Sequence, residues 1–137
     1  MTITDIMHYM AAPYTTGGGS IEEGFDCWTL LKDIYKHQLN VEIPDLPHIN
    51  INDVYSLREN ITNEKAIRSD WLLLDSPVNL CAVAMSKFNR CVHHVGVFID
   101  IDGGKVLHTS PGIGVSFVKL NIIKKDFKTV KYYGLRN

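Results

Sequence analysis

Apolar residues recur with helical spacing in the N-terminal half of the chain. The clearest case lies between Phe25 and Lys36, where apolar side chains fall at i, i+3, i+4 and i+7. The residues of this stripe are Cys27, Leu30, Leu31 and Ile34. The pattern predicts a helix over Phe25–Lys36 with one buried face. Asp26 is expected in its first turn, where acidic side chains are favoured.

Two further helices are predicted on weaker patterns. Met1–Ala12 is expected to be a short helix that ends at Pro13, and Thr15–Ser20 then forms an irregular, glycine-rich loop. After Pro47, the segment from Asn52 to Arg68 is predicted to be helical. The helical elements therefore all come from the first half of the chain.

From Trp71 onward the period changes towards two, which is typical of strands. Short turns at Asp102–Gly104 and Ser110–Gly112 favour antiparallel neighbours over parallel strands with crossover helices. The predicted strands are Leu80–Met85, His94–Asp100, Lys105–Thr109, Val115–Leu120 and Thr129–Tyr133. Helices followed by strands predict an α+β fold, with N-terminal helices packed on a central antiparallel sheet of about five strands.

Composition and charge are those of one soluble globular domain. The chain has 137 residues, of which 45% are hydrophobic and 21% charged, and its formal net charge is -1. We therefore predict a single domain over residues 1–137 and no nucleic-acid partner. No apolar run approaches the roughly 20 residues of a membrane span. Because Asp5 and His8 interrupt the start of the chain, we expect cytoplasmic synthesis without a signal peptide.

The three cysteines point to thiol chemistry at one position. Cys27, Cys81 and Cys91 form no CxxC pair and are odd in number, so at least one thiol is free. Cys27 begins the predicted helix, where backbone N–H groups and the helix dipole favour a thiolate, so its pKa is expected to be lowered. The alternative is that Cys27 only packs in the core, as most free cysteines do.

Two histidines are expected to join this cysteine. His94 and Gly96 fall on the face opposite the odd-numbered apolar residues of their strand. A hairpin closing between Asp100 and Gly104 places His108 opposite His94 or diagonally across from it. Thiol catalysis needs a nucleophile, an imidazole base and a third polar group that orients the base. The alternative is that each histidine is a structural residue of its strand.

A metal site is the competing interpretation of the histidine-rich segment. Cys91, His93 and His94 offer thiolate and imidazole ligands, but their spacing matches no common zinc pattern. We therefore predict neither a metal nor a cofactor. His8, His37 and His48 are predicted to be surface residues.

These motifs together resemble a known family. In chain order they are Pro13-Tyr14, Gly17–Ser20, Gly24–Trp28, His94–Phe98 and Val106–His108. This ordered set resembles the NlpC-type cell-wall peptidases, a papain-like cysteine peptidase family, from about Tyr14 to Arg136. One departure is Pro77-Val78-Asn79, where many members have Pro-Gly-Asp before the first strand.

The resemblance implies a papain-like NlpC-type fold and a peptidase that acts on peptidoglycan stem peptides. It implies that Cys27 attacks the carbonyl, that His94 is general base and then acid, and that His108 orients His94. It also places Tyr14 near the nucleophile, where its hydroxyl and the Cys27 N–H would stabilise the oxyanion.

Trp28, Pro44 and the small size are most similar to the branch found in phage tail-tip assembly proteins. That branch implies other phage tail proteins as partners and the virion tail tip as location. Two other functions stay open. One is a structural or docking tail-tip protein whose cleft is not used for hydrolysis, and the other is a related thiol acyltransferase or deamidase.

Overall fold

The computed structural model describes residues 1–44, 71–87 and 94–135, which form three helices and six strands. The helices are α1 (Ile3–Met10), α2 (Cys27–Leu39) and α3 (Leu120–Asp126). The strands are β1 (Trp71–Leu74), β2 (Ala82–Ser86), β3 (His94–Ile99), β4 (Lys105–Ser110), β5 (Gly114–Lys119) and β6 (Thr129–Leu135). Within these ranges no helix has the length and apolar character needed to cross a membrane. The predicted helix Asn52–Arg68 lies outside the described residues.

The strands form one antiparallel sheet in the order β1-β6-β2-β3-β4-β5. The predicted α+β class is thus confirmed, and the sheet has six strands where about five were expected. The missed strand is β1, an edge strand whose four residues are all apolar and whose burial does not alternate. Without alternation, periodicity gives no strand signal.

Side-chain caps set where the first two helices begin. Thr2 accepts a hydrogen bond from the Asp5 N–H at 3.1 Å and starts α1. Asp26 accepts one from the Thr29 N–H at 2.8 Å, while the Thr29 hydroxyl accepts from the Asp26 N–H at 3.0 Å. Asp26 is therefore the N-cap of α2 and not a first-turn residue as predicted. The reciprocal pair fixes Cys27 as the first helical residue.

The two faces of the sheet carry separate apolar clusters. On one face the stripe of α2 packs against β3, through residues that include Leu30, Leu31, Ile34, Val95 and Val97. On the other face Ile123 of α3 joins residues that include Val83, Met85, Phe98 and Val106. Helix α3 was not predicted. Lys119 at its start makes no side-chain cap hydrogen bond, and only Ile123 of its seven residues is buried. The sequence therefore shows neither a capping residue nor an apolar stripe that would predict this helix.

Candidate active site

The loop before α2 folds back onto the start of the helix. Thr15 donates to the Phe25 carbonyl at 3.0 Å, and Phe25 donates to the Pro13 carbonyl at 3.1 Å. Gly24 lies at a close approach of the backbone, with φ at +104° and a position where a Cβ would stand 2.4 Å from the Pro13 oxygen. Only glycine fits there. The pairing of Tyr14 with Phe25 therefore holds Tyr14 beside the first residues of α2.

The Asp26 carboxylate ties the glycine-rich loop to the helix start. Its Oδ2 accepts from the Gly17 N–H at 2.8 Å, while Oδ1 caps Thr29. Asp26 is buried, with 5% of its surface exposed. Both carboxylate oxygens are thus engaged by backbone N–H groups, which fixes the approach of the loop to Cys27.

The Cys27 thiol is buried, and its electrostatics differ from the sequence prediction. Only 1% of Cys27 is exposed. Burial raises the pKa of the Cys27 thiol to about 12, against the opposing effect of the Val95 N–H and of the N–H groups at the helix start, while the Asp26 charge raises it further. The predicted lowering was therefore wrong in direction: the N–H groups act as expected, but desolvation is larger. At neutral pH this sulfur holds its proton.

The thiol lies where β3 and β4 separate. The Phe98 N–H donates to the Cys81 carbonyl, next to β2. Because the N–H groups of successive residues in a strand point to alternate sides, the Val95 N–H points towards β4. The β3–β4 ladder, however, pairs only Val97–Ile99 with Lys105–Leu107. The Val95 N–H instead interacts with the Cys27 sulfur. Cys27 therefore occupies the opening between the two strands, one residue along β3 from His94.

The two histidines, one from β3 and one from β4, contact each other. His94 Nε2 lies 2.7 Å from His108 Nδ1, and the ring centroids are 4.9 Å apart. The register places His108 opposite Gly96, so the two histidines are diagonal neighbours, which is one of the two predicted arrangements. A Cβ on Gly96 would stand 3.0 Å from the His108 Cβ and 2.9 Å from the Leu107 oxygen. The glycine thus makes room for His108.

His108 is set up to accept a hydrogen bond. Burial lowers its pKa below the usual value of 6.5, although the Asp126 carboxylate opposes this. A neutral His108 has one ring nitrogen with a lone pair. If Nδ1 is that nitrogen, it accepts the Nε2 proton of His94, and His108 Nε2 carries its own proton. Within the described residues, this buried Nε2 has no hydrogen-bond partner.

Tyr14 provides a hydroxyl close to the thiol. Burial, and next the Cys27 charge, raise the pKa of Tyr14 to about 12, while the Thr16 side chain opposes the shift. Its oxygen is buried and makes no hydrogen bond of good geometry to the part of the chain that the structure describes. The Tyr14 hydroxyl is therefore protonated at neutral pH and able to donate.

Sequence reasoning missed an aromatic contact of the candidate base. Phe127 follows α3 and stacks on His94, with ring centroids 5.8 Å apart and an interplanar angle of 9°. Phe127 lies between α3, which was not predicted, and β6, so no hydrophobic periodicity indicated that it would contact His94. The described ranges hold no group of three His, Cys, Asp or Glu side chains suited to a metal. Cys91, His93 and His48 fall outside those ranges, whereas His8 and His37 are exposed as predicted.

The burial of these groups predicts how stability changes with pH. A thiol whose pKa rises from 9.0 to about 12 on folding stabilises the protein below pH 9.0, and this contribution is lost as the pH rises towards 12. Lowering of the His108 pKa has the opposite sense, so stability is lost as the pH falls below 6.5. We expect the free energy of unfolding in urea to be largest between these limits. Cys27→Ala should flatten the alkaline decline, and an unchanged decline would contradict thiol burial.

Known proteins resemble this chain in sequence and in fold. The profile of the NlpC/P60 family matches residues 11–132. The fold is similar to the crystal structure of a "similar to lipoprotein, NLP/P60 family" protein from Staphylococcus aureus subsp. aureus Mu50, with a TM-score of 0.54 and 13% identity. That match covers 94% of this chain but 39% of the other, so this chain spans well under half of its length. No curated protein matches the chain significantly. Since the family profile covers most of its length, the chain belongs to the NlpC/P60 family, whose members are generally cysteine peptidases with a cell-wall function.

Proposed function

We propose that the protein is a cysteine peptidase that hydrolyses stem-peptide bonds of peptidoglycan, with Cys27, His94 and His108 as its catalytic unit. The observation that carries the proposal is the 2.7 Å contact between His94 Nε2 and His108 Nδ1 at the start of β3, one residue before the Val95 N–H that interacts with the Cys27 sulfur. In this proposal the nucleophile, base and orienting group come from α2, β3 and β4.

The roles follow from which ring nitrogen each contact uses. His94 Nε2 is committed to His108, so proton exchange with the thiol falls to Nδ1. His94 Nδ1 takes the thiol proton as the sulfur attacks the peptide carbonyl carbon. The oxyanion that forms accepts hydrogen bonds from the Tyr14 hydroxyl and the Cys27 N–H.

The remaining steps return the proton and release both products. The His94 imidazolium gives its proton to the leaving amine, and the C–N bond breaks to leave a thioester on Cys27. A water molecule then gives a proton to His94 Nδ1 and attacks the thioester. The C–S bond then breaks, the Cys27 thiolate takes the proton from His94, and the carboxylic acid that is released loses its proton to solvent.

His108 fixes the tautomer that this cycle needs. When Nδ1 of His94 carries the lone pair, its Nε2 carries the proton and donates it to His108 Nδ1. Because burial lowers the pKa of His108, His108 stays neutral while His94 becomes charged. Two adjacent imidazolium ions would repel each other, and the shift prevents that state.

We expect His108→Ala to lower kcat/KM by on the order of 10²-fold, less than loss of the base itself. His108→Asn should recover part of this loss, because an amide oxygen can accept the Nε2 proton in the same way. Steady-state cleavage of a soluble muropeptide by both variants measures the difference. Equal losses in two folded variants would contradict orientation through an accepted hydrogen bond.

The burial of Cys27 favours a second candidate, a structural or docking role. A nucleophile with 1% exposure must be uncovered before a substrate can reach it. A protein that keeps the fold and uses the cleft only for binding has no such need. The two candidates differ in whether covalent products form.

The test is to incubate the full chain with purified peptidoglycan and soluble muropeptides and to record mass spectra of the soluble products. Fragments that together gain one water per cleaved bond support hydrolysis. Unchanged muropeptides, with the protein cosedimenting with the wall, support the docking role and overturn hydrolysis. Products formed only with an added amine, at the mass of an amide, indicate acyl transfer instead.

We also propose the phage tail-tip assignment, with synthesis in the cytoplasm and other tail proteins as partners. Its support is the resemblance carried by Trp28 and Pro44. These two residues are in contact, since Trp28 Nε1 donates to the Pro44 carbonyl at 3.0 Å. Detection of the chain by mass spectrometry in purified virions of a phage that encodes it would support the assignment. Its absence from virions while it is abundant in the lysate would overturn it.

A further inference from the structure

The imidazole of His94 rests on an aromatic ring that the proposed cycle does not use. Phe127 lies nearly parallel to His94, at 9°, with a centroid separation of 5.8 Å that corresponds to an offset stack. His108 meets the same imidazole edge-on, at 79°. Phe127 therefore defines the plane of the His94 ring, and His108 defines the orientation of the ring within that plane.

Phe127 is held by α3. Its N–H donates to the Ile123 carbonyl at 3.0 Å and closes the helix. Ile123 is 1% exposed in the apolar cluster on this face of the sheet, so the end of α3 is anchored. The preceding residue, Asp126, acts on the pKa of His108. The end of α3 thus acts on both histidines, on His94 through the Phe127 ring and on His108 through the Asp126 charge.

The charges around this stack bear on the protonated state of His94. The titratable groups that contact or act on the stacked pair include His108 from β4, Asp126 from α3, which acts on His108, and Lys87 after β2. The Lys87 ammonium stands 5.8 Å from the Phe127 centroid. The negative face of an aromatic ring attracts a cation, so Phe127 stabilises an imidazolium stacked on it more than a neutral imidazole. The positive charge of Lys87 opposes this stabilisation.

We propose that Phe127 is a positioning residue of the reaction, which holds the His94 ring in the plane that presents Nδ1 to the thiol and stabilises the imidazolium that forms there. The catalytic part of this inference rests on the proposed function. The effect of Phe127 on the pKa and tautomer of His94 does not. The Cys27 thiol holds its proton at neutral pH, so that proton must move to His94 before the sulfur can attack. Any contact that stabilises the His94 imidazolium therefore favours the reaction.

Phe127→Leu is the test, since leucine keeps an apolar side chain and removes the ring face. Phe117→Leu is the matched control. Phe117 also carries a lysine over its ring, with Lys105 at 5.1 Å, but it packs against the α2 cluster. Two readouts are needed: the pKa and tautomer of His94 from NMR titration of the imidazole nitrogens, and kcat/KM for muropeptide cleavage against pH.

We expect Phe127→Leu to lower the His94 pKa by about 0.5–1 unit and to lower kcat/KM several-fold, and Phe127→Tyr to restore both. Phe117→Leu should change neither. If wild type cleaves and the two leucine variants behave alike, the inference is overturned while the proposed function stands. If wild type does not cleave, the proposed function fails, and the titration alone then decides whether Phe127 controls His94.

Discussion

Cys27→Ala is expected to abolish the release of stem-peptide fragments. The substitution removes the atom that forms the thioester, and loss of the nucleophile of such a catalytic unit costs on the order of 10⁶ in kcat. The fold should persist, because Asp26 and Thr29 cap α2 without the thiol and the apolar stripe of α2 is unchanged. We expect the lost buried sulfur to cost about 1 kcal/mol of stability. Mass spectrometry of digested muropeptides and urea unfolding measure the two effects separately.

Cys81→Ala is the matched control for this experiment. Cys81 is also buried, at 2% exposure, and burial raises the pKa of its thiol as well. It differs in place, since it belongs to the cluster on the α3 face of the sheet. We expect Cys81→Ala to cost similar stability and to leave cleavage intact. Equal cleavage by wild type and Cys27→Ala would contradict the proposed nucleophile, and equal loss in both variants would point to stability alone.

The parts of the fold that the sequence predicted are those with a strong local signal. Helix α2 carries a four-residue apolar stripe, and β3 and β4 flank a glycine turn, so their existence followed from periodicity and turn chemistry. The missed elements lack such signals. Strand β1 is uniformly apolar at the sheet edge, and α3 buries one residue only. Their structure depends on partners distant in the chain, which a local pattern does not encode.

The candidate site divides in the same way. The symmetry of positions 94 and 108 about a turn predicted the histidine contact, because hairpin register is a local property. The state of the thiol was mispredicted, because the helix start is a local property but the desolvation of Cys27 depends on its burial in the apolar cluster on the α2 face of the sheet. The stack of Phe127 on His94 joins residues 33 positions apart in the sequence through α3. No spacing rule connects them.

His94→Ala is expected to lower kcat/KM by on the order of 10²–10⁴-fold at neutral pH, the usual contribution of a general base. Because Cys27 is buried, we expect its reactivity to depend strongly on the His94 base. With a thiol pKa of about 12, the unassisted thiolate fraction at pH 7 is on the order of 10⁻⁵. A cysteine whose thiolate is stabilised by the helix start alone would still react without the histidine. The Cys27 thiol instead requires a general base to accept its proton.

That difference gives His94→Ala a diagnostic pH profile. In the variant, hydroxide must remove the thiol proton, so kcat/KM should rise about tenfold per pH unit throughout the range below the thiol pKa of about 12. Wild type should instead level off once His94 is neutral. Alkylation of Cys27 followed by mass spectrometry provides the same comparison without a substrate, and the exposed His8→Ala serves as control. A variant profile parallel to wild type would mean that His94 is not the base. Because the thiolate here is not preformed, we expect the histidine pair, more than the start of α2, to determine the reactivity of Cys27.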